Sequence, residues 1–454
     1  MLTLAVPPAF VDRRRARSRA MTHSSRGNGR IPDRFTGHSR VVPEPCRSPG
    51  FQPWPGSLRI DFDRRRVPIS VLPGIVADVT RPLSELDAPC LARHARHMFR
   101  SGLRMLALVT LLGACSTGGG GGGSHPGANR SSAPVDTQGP ASGRPLIIDT
   151  DMAADDWMAI LFLLWRRDIR VEAITVTDAG EAHCGPGVTN ALGLVALAGR
   201  PEIPVACGRE VPLAGTHAFP GEWRAGVDQL LGLTLPANAN KAASGSAVEL
   251  LAATLRASTE KVTILTLGPL TNPAQLLGDS PDLKDRIAAV FVMGGAVDVP
   301  GNVLLPDLPP QPVAEWNVYV DPTAARLVLG SSVPVTLVPL DATNHVPITT
   351  AFANGYRSGA TTASARFTGD VLAKLGDSIA RGDYFFWDPF AAAVVADESV
   401  ASFGRRHLNV VTDEGPGVGQ IVVAAQGPEA RYALSADPSR YEDLFLRTLN
   451  GRPG

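Results

Sequence analysis

The chain has 454 residues, 44% of them hydrophobic and 19% charged, with a formal net charge of zero. That is too long and too apolar for a disordered chain or a disulfide miniprotein, so at least one large core must form. The zero hides a split: residues 1–97 carry 17 arginines, no lysine and 8 acidic residues, a balance of +9 that leaves −9 for the remainder. The part that reads as globular therefore offers no global basic surface to a nucleic acid, and five cysteines cannot scaffold a chain of this size.

In chain order, residues 1–97 lack a sustained period of 2 or 3.6 and are broken by arginine runs (Arg13 to Arg15, Arg64 to Arg66) and many prolines, so they read as unstructured. A second reading starts translation at Met98. Met98, Arg100 and Arg104 then form a basic n-region ahead of the apolar run Met105 to Ala114, the layout of an export signal. About ten apolar residues fall short of the ~20 that span a bilayer. The tetrapeptide Leu112-Gly113-Ala114-Cys115 resembles the lipobox of bacterial lipoproteins, which implies lipidation of Cys115, export and a membrane anchor. Six glycines (Gly118 to Gly123) and a Ser/Pro/Gly stretch to Arg144 follow, a flexible tether with a reach on the order of 30 Å.

From Pro145 short apolar runs alternate with helical ones. Runs 145–149, 171–177, 262–267, 288–293 and 333–338 read as buried strands, and 157–165, 186–199, 247–258 and 322–329 as helices. The expectation is a single α/β domain over 145–454, with a mostly parallel central sheet flanked by helices. In such sheets ligands bind beyond the carboxyl ends of the strands.

After the first strand comes DTDMAADD, with Asp149, Asp151, Asp155 and Asp156 inside eight residues. Carboxylates that close raise one another's pKa unless a cation neutralises them. Asp151 ends the strand turn while Asp155 and Asp156 open the next helix, so a hard cation, calcium or magnesium, is expected rather than zinc, because no His or Cys stands nearby. Acidic N-capping of that helix is the competing explanation for one or two of the four.

DTDMAADD, LGPLTN (267–272), VMGGAVDVPGN (292–302), AEWNVYVDP (314–322), LDATN (340–344) and WDPFAA (387–392) together resemble the calcium-dependent nucleoside hydrolases, the inosine-uridine-preferring family, in that family's order. HAFPGEWR (217–224), AEWN and the Trp387–Asp388 pair are most similar to its purine-preferring branch. The resemblance implies the nucleoside hydrolase fold, hydrolysis of the N-glycosidic bond of ribonucleosides, and Ca²⁺ as cofactor. It implies that Asp151, Asp156, the Leu267 carbonyl and Asp388 hold Ca²⁺, with Asp151 also the general base for a bound water. Asn302, Glu315 and Asn317 would hold the ribose, chiefly its 5′ side, Asp155 would be among the substrate-binding residues, Met293 would line the sugar pocket, and Trp223 and Trp387 would sandwich the base. Many relatives place a His acid where this chain has Trp387, whose stacked face can instead stabilise a protonated purine by ~0.5–2 kcal/mol. Tyr384, with Arg381 nearby, would sit on a loop able to close over the base.

The chain departs from the family in three places. Met152 and Ala153 replace the usual Pro and Gly; Asp178 and Glu181 stand where relatives put one residue on the 3′ hydroxyl, and the sequence does not choose between them; and LLPDLPPQPV is inserted between Gly301 and Glu315. Whether Cys184 and Cys207 pair is left open, and His183, His217, His345 and His407 show no ligand spacing. The expected partners are a small nucleoside and, through the anchor, a membrane, with a homodimer or homotetramer both compatible. Two rivals compete: a Mg²⁺-dependent phosphohydrolase, which would need a lysine after a strand that Lys261, Lys284 and Lys374 do not supply, and a surface lipoprotein that binds nucleosides without cleaving them.

Overall fold

Leu146, Ile147 and Ile148 alternate across the strand β1 (Arg144–Thr150), and both faces are buried: Leu146 and Ile148 join one apolar cluster, Ile147 another. A strand with no wet face must lie inside a sheet covered on both sides. The computed structural model describes residues 143–304 and 311–452. The 1–97 head, the 98–115 export signal with Cys115, all but the end of the 116–144 tether and the middle of the 304–313 insertion lie outside the described residues.

Eight further strands follow: β2 (Ile169–Val176), β3 (Val205–Cys207), β4 (Val262–Thr266), β5 (Ile287–Met293), β6 (Val335–Val338), β7 (Ala401–Val410), β8 (Ile421–Val423) and β9 (Glu429–Ala436). They form one sheet in the order β3-β2-β1-β4-β5-β6-β9-β7-β8. All run parallel except β7, which is antiparallel to both its neighbours. The five strands expected from apolar runs are β1, β2, β4, β5 and β6. The four expected helices are Ala154–Leu164, Cys184–Leu197, Ala247–Ala257 and Pro322–Leu329.

One core face holds the helix Ala154–Leu164, buried along its whole length, together with Trp387–Ala396 and Pro438–Leu449. The opposite core takes Leu251 and Leu255 of the helix Ala247–Ala257, Leu276 of Thr271–Asp279 and Val328 of Pro322–Leu329. Strand order reverses direction at β1, which lies between β2 and β4. Adjacent crossovers there leave to opposite faces and open a crevice at the carboxyl ends, and Asp151 is the residue that leaves β1 into it.

Cys184 and Cys207 are joined in a disulfide, with Cα atoms 5.7 Å apart and a sequence separation of 23. It ties the start of the helix after β2 to the end of β3. A loop of that length confers roughly 3 kcal/mol by restricting the unfolded chain. Replacing both cysteines by serine should lower the thermal midpoint by roughly 5–10 °C. Scanning calorimetry checks this, and an unchanged midpoint would show that the loop is ordered without the bond.

Candidate active site

The helices Ala154–Leu164 and Trp387–Ala396 pack side by side, and each carries acids in its first turn, Asp155 and Asp156 in one, Asp388 in the other. Carboxylate oxygens of these three come within 4.8 Å of one another, all buried. Asp151, the residue after β1, lies within reach of the charges of Asp156 and Asp155. Among the expected ligands the Leu267 carbonyl follows β4 directly, and Asn317 Nδ2 donates to it at 3.0 Å and to the Met293 carbonyl beyond β5 at 3.1 Å. One amide thereby spans the ends of two strands.

No side chain caps the helix Ala154–Leu164, so capping does not account for the acids. Asp156 accepts the Thr150 hydroxyl on Oδ1, and its Oδ2 is buried with no partner. Asp155 receives the Tyr384 hydroxyl at 3.4 Å and the backbone amide of Asp388. Burial comes first in raising every one of these carboxyls, with neighbouring negative charge adding to it: Asp156 is pushed up to about 7 and Asp155 to about 6. Asp151 and Asp388 also lie well above the usual range, after burial chiefly through Asp156 for the first and Asp155 for the second. A buried, all-oxygen, mutually repelling set with an orphaned carboxylate oxygen fits a hard divalent cation.

Two glycines make room for Asp151. A Cβ on Gly180 would lie 2.1 Å from the Asp151 Cβ, and one on Gly268 2.6 Å from it. Glu181 N donates to Asp151 Oδ2 at 3.2 Å and Ala182 N to its carbonyl at 2.8 Å. Met152 next to it is fully buried at φ 62°, a left-handed conformation costly for a residue with a Cβ. Thr150 Oγ1 accepts its amide at 2.9 Å and Trp157 Nε1 donates to its carbonyl at 2.9 Å, which holds the turn that relatives build from Pro and Gly.

Glu315 is buried, yet accepts three amides: Gly295 at 2.8 Å, Asn317 at 3.0 Å and Val318 at 3.2 Å. Burial raises its pKa despite them, and its charge reaches Asp155. Asn302 Oδ1 receives the Trp316 amide at 3.2 Å. Asp178 is engaged by Arg224 at 3.2 Å and by the Cys184 amide at 3.0 Å. The Glu181 carboxyl instead faces Asp151 and Asp155, whose charges, after burial, raise it well above its ordinary value.

The aromatic residues divide into two groups. Trp387 meets Tyr384 edge-on at 5.0 Å and Phe385 at 5.6 Å. Trp223 leans on Trp316 at 5.3 Å in a separate cluster with Phe219 and Tyr319. Arg381 pairs with Asp383 at 2.7 Å. His217 stacks on Tyr319 and His183 pairs with Asp228, both outside the acidic cluster. Reading the sequence missed Thr150 and Arg224. Asp149, one of the four acids of DTDMAADD, is instead used between strand ends, where its Oδ1 accepts Thr175 at 2.6 Å and Asn272 at 2.8 Å. The hydroxyl between two aspartates in DTD was the available signal for Thr150; nothing local marks Arg224.

An α/β sheet with an acid-lined crevice at its switch point, backed by a glycine-flanked aspartate, is an architecture able to hold a divalent cation and a small ligand. The model of the family described as inosine-uridine preferring nucleoside hydrolase matches residues 146–443, and the chain belongs to that family. It is similar to the pyrimidine-specific ribonucleoside hydrolase RihA of Salmonella schwarzengrund, 39% identical over 214 residues that cover 47% of this chain and 66% of that one. RihA of Salmonella paratyphi C is 40% identical over 204 residues, covering 45% and 62%. The alignments thus span just under two thirds of these relatives. Among solved structures, the inosine-uridine preferring nucleoside hydrolase from Bacillus anthracis superposes with a TM-score of 0.60 at 24% identity, over 68% of this chain and 99% of that one. The purine-preferring ribonucleoside hydrolase from Gardnerella vaginalis gives 0.59 at 25%, over the same shares.

The raised carboxyls have a consequence for stability. Without a cation, Asp155 and Asp156 keep protons in the folded chain up to about pH 6–7, whereas the unfolded chain releases them near pH 4. The folded state then binds more protons, so stability falls as pH rises through that window. Chelator-treated protein should melt lower at about pH 7.5 than at about pH 5.5, and added Ca²⁺ should raise the midpoint more at the higher pH. A Ca²⁺ effect that is equal at both, or none, would contradict the metal-site assignment.

Proposed function

We propose that this protein hydrolyses the N-glycosidic bond of ribonucleosides, releasing ribose and the free base. The observation that carries the reading is the convergence of Asp151, Asp155, Asp156 and Asp388 at the switch point, beside Asn317 and Glu315. Asp151, Asp156, the Leu267 carbonyl and Asp388 would hold a divalent cation, Ca²⁺ in this reading, which supplies neutralising charge, ligand positions for the ribose diol and a water of lowered pKa. Asp151 takes a proton from the attacking water. As the water oxygen bonds C1′, the C1′–N bond breaks, its electron pair leaves with the base, and the base takes up a proton. The oxocarbenium-like charge that develops on the ribose is favoured by the surrounding carboxylates. Glu315, Asn317 and Asn302 orient the sugar over Met293. Glu181 rather than Asp178 is the acid for the 3′ side, because Asp178 is already held by Arg224.

The base is a purine in this reading. Trp387 cannot act as an acid, but its face stabilises a ring nitrogen that becomes protonated, which uridine does not offer. Trp223 would be its partner only if its helix closes toward Trp387. A pyrimidine reading is favoured by one observation, the similarity to relatives named pyrimidine-specific. Reducing-sugar release from inosine, guanosine and uridine, with and without EDTA, tests the activity and separates the two. Inosine cleavage abolished by EDTA is expected; no release from any of the three leaves the binding-lipoprotein rival. Trp387→Ala should lower kcat/KM for inosine by roughly 5–30-fold. The loss should be smaller on a p-nitrophenyl riboside, whose leaving group needs no proton, and equal losses would reduce Trp387 to a wall of the pocket.

The chain is further proposed to be an exported lipoprotein anchored through Cys115, with residues 116–144 as a tether. No helix among the described residues is long and apolar enough to cross a membrane; in this reading acyl chains on Cys115 hold the domain. Cys115→Ala should move the protein from the membrane pellet to the soluble fraction or leave it unprocessed. A wild-type chain wholly in the cytoplasmic fraction would overturn the anchor.

A further inference from the structure

The loop Asp178–Ala182 forms the back wall of Asp151. It supplies one hydrogen bond to the carboxylate, from Glu181 N, one to the Asp151 carbonyl, from Ala182 N, and the close approach at Gly180. A loop that sets the direction of the general base needs something to hold it. Arg224 reaches it from the helix Gly221–Asp228. Its Nη2 donates to the Asp178 carbonyl at 2.8 Å, to Asp178 Oδ1 at 3.2 Å and to the Ala182 carbonyl at 3.5 Å, so one nitrogen grips both ends of the loop. The guanidinium is largely buried, with its side chain 13% exposed and Asp178's 12%. It is also the cation that acts on the Glu181 carboxyl. The same helix carries Trp223 one residue earlier, and its far end is tied to the same segment by Asp228, which accepts His183 N at 2.8 Å.

We infer that Arg224 is a positioning residue: by gripping both ends of the loop Asp178–Ala182 it aims the Asp151 carboxylate, and it couples that aim to the seating of the helix that bears Trp223. This rests on the hydrolase reading above. A guanidinium nitrogen has its two N–H groups fixed in the plane of the group and directed at the two carbonyls and the carboxylate, whereas a lysine ammonium is a rotating point charge on a flexible stem. The coupling makes the position of the aromatic wall and the orientation of the base for water one adjustment rather than two.

The test uses the full chain with Arg224→Ala and Arg224→Lys. In Arg224→Ala, kcat for inosine should fall roughly 10–100-fold, the scale expected for a small misplacement of a catalytic group, with a smaller change in KM. Arg224→Lys should recover part of kcat, and guanidinium ion at low, non-denaturing concentration should rescue Arg224→Ala but not the wild type. Backbone hydrogen exchange at Glu181 and Ala182 should quicken in Arg224→Ala by about tenfold or more, while amides in β4 and β5 hold their rates. A kcat within about twofold of wild type would overturn the inference. So would a loss that follows the melting temperature alone and is rescued by neither lysine nor guanidinium. Wild-type protein that cleaves no nucleoside would defeat the hydrolase reading, and the two exchange rates would still decide whether Arg224 holds the loop.

Discussion

The burial of several acids at one point, with repulsion among them second to the loss of water, organises this domain. Asp151, Asp155, Asp156 and Asp388 are brought together where water cannot screen them, and burial alone would keep them protonated. The fold tolerates this arrangement because partial charges are aimed at it: Thr150 at Asp156, the Asp388 amide and Tyr384 at Asp155, and the Glu181 amide at Asp151. Those donors compensate only in part. The remaining deficit is what a divalent cation would cancel, so the same feature that destabilises the empty site gives affinity to the filled one.

The scaffold around that deficit is rigid in the places that matter. Asn317 ties the carbonyl of Leu267 to that of Met293, and Glu315 caps the helix Trp316–Val320, accepting the Asn317 and Val318 amides together with that of Gly295 after β5. Asp341 accepts Val297 N at 2.9 Å and Asp298 N at 2.8 Å, fixing the loop that leads from β5. These are backbone positions at the carboxyl ends of neighbouring strands, so small errors in sheet register would be felt directly at the site.

The acids of DTDMAADD were legible in the sequence because their information is local: four carboxylates in eight residues demand either a cation or a cap, and only spacing is needed to see it. The buried parallel strands were legible for the same reason, as continuous apolar runs. Asp388 was not legible by local reasoning and came from the resemblance, since its partnership with Asp155 is a packing of two helices far apart in the chain. Strands β7 to β9 escaped notice because a strand such as ASFGRRHLNV alternates weakly and keeps its arginines in water. The choice between Asp178 and Glu181 was open because it turns on Arg224, a residue some forty positions away. The Cys184–Cys207 bond was likewise a question of proximity, which spacing does not answer.

The wide separation of Asp151 and Asp388 along the chain has a consequence for how the protein reaches its working state. Translation delivers the first three acids early and the last only after most of the domain has emerged, so no N-terminal fragment owns all four acids. A cation that binds the complete set binds the folded chain and not its precursors, and its binding free energy then adds to folding cooperativity across the whole sheet. The ion would act as a late seal on assembly: acquired last, it would report that the two ends of the domain have found each other.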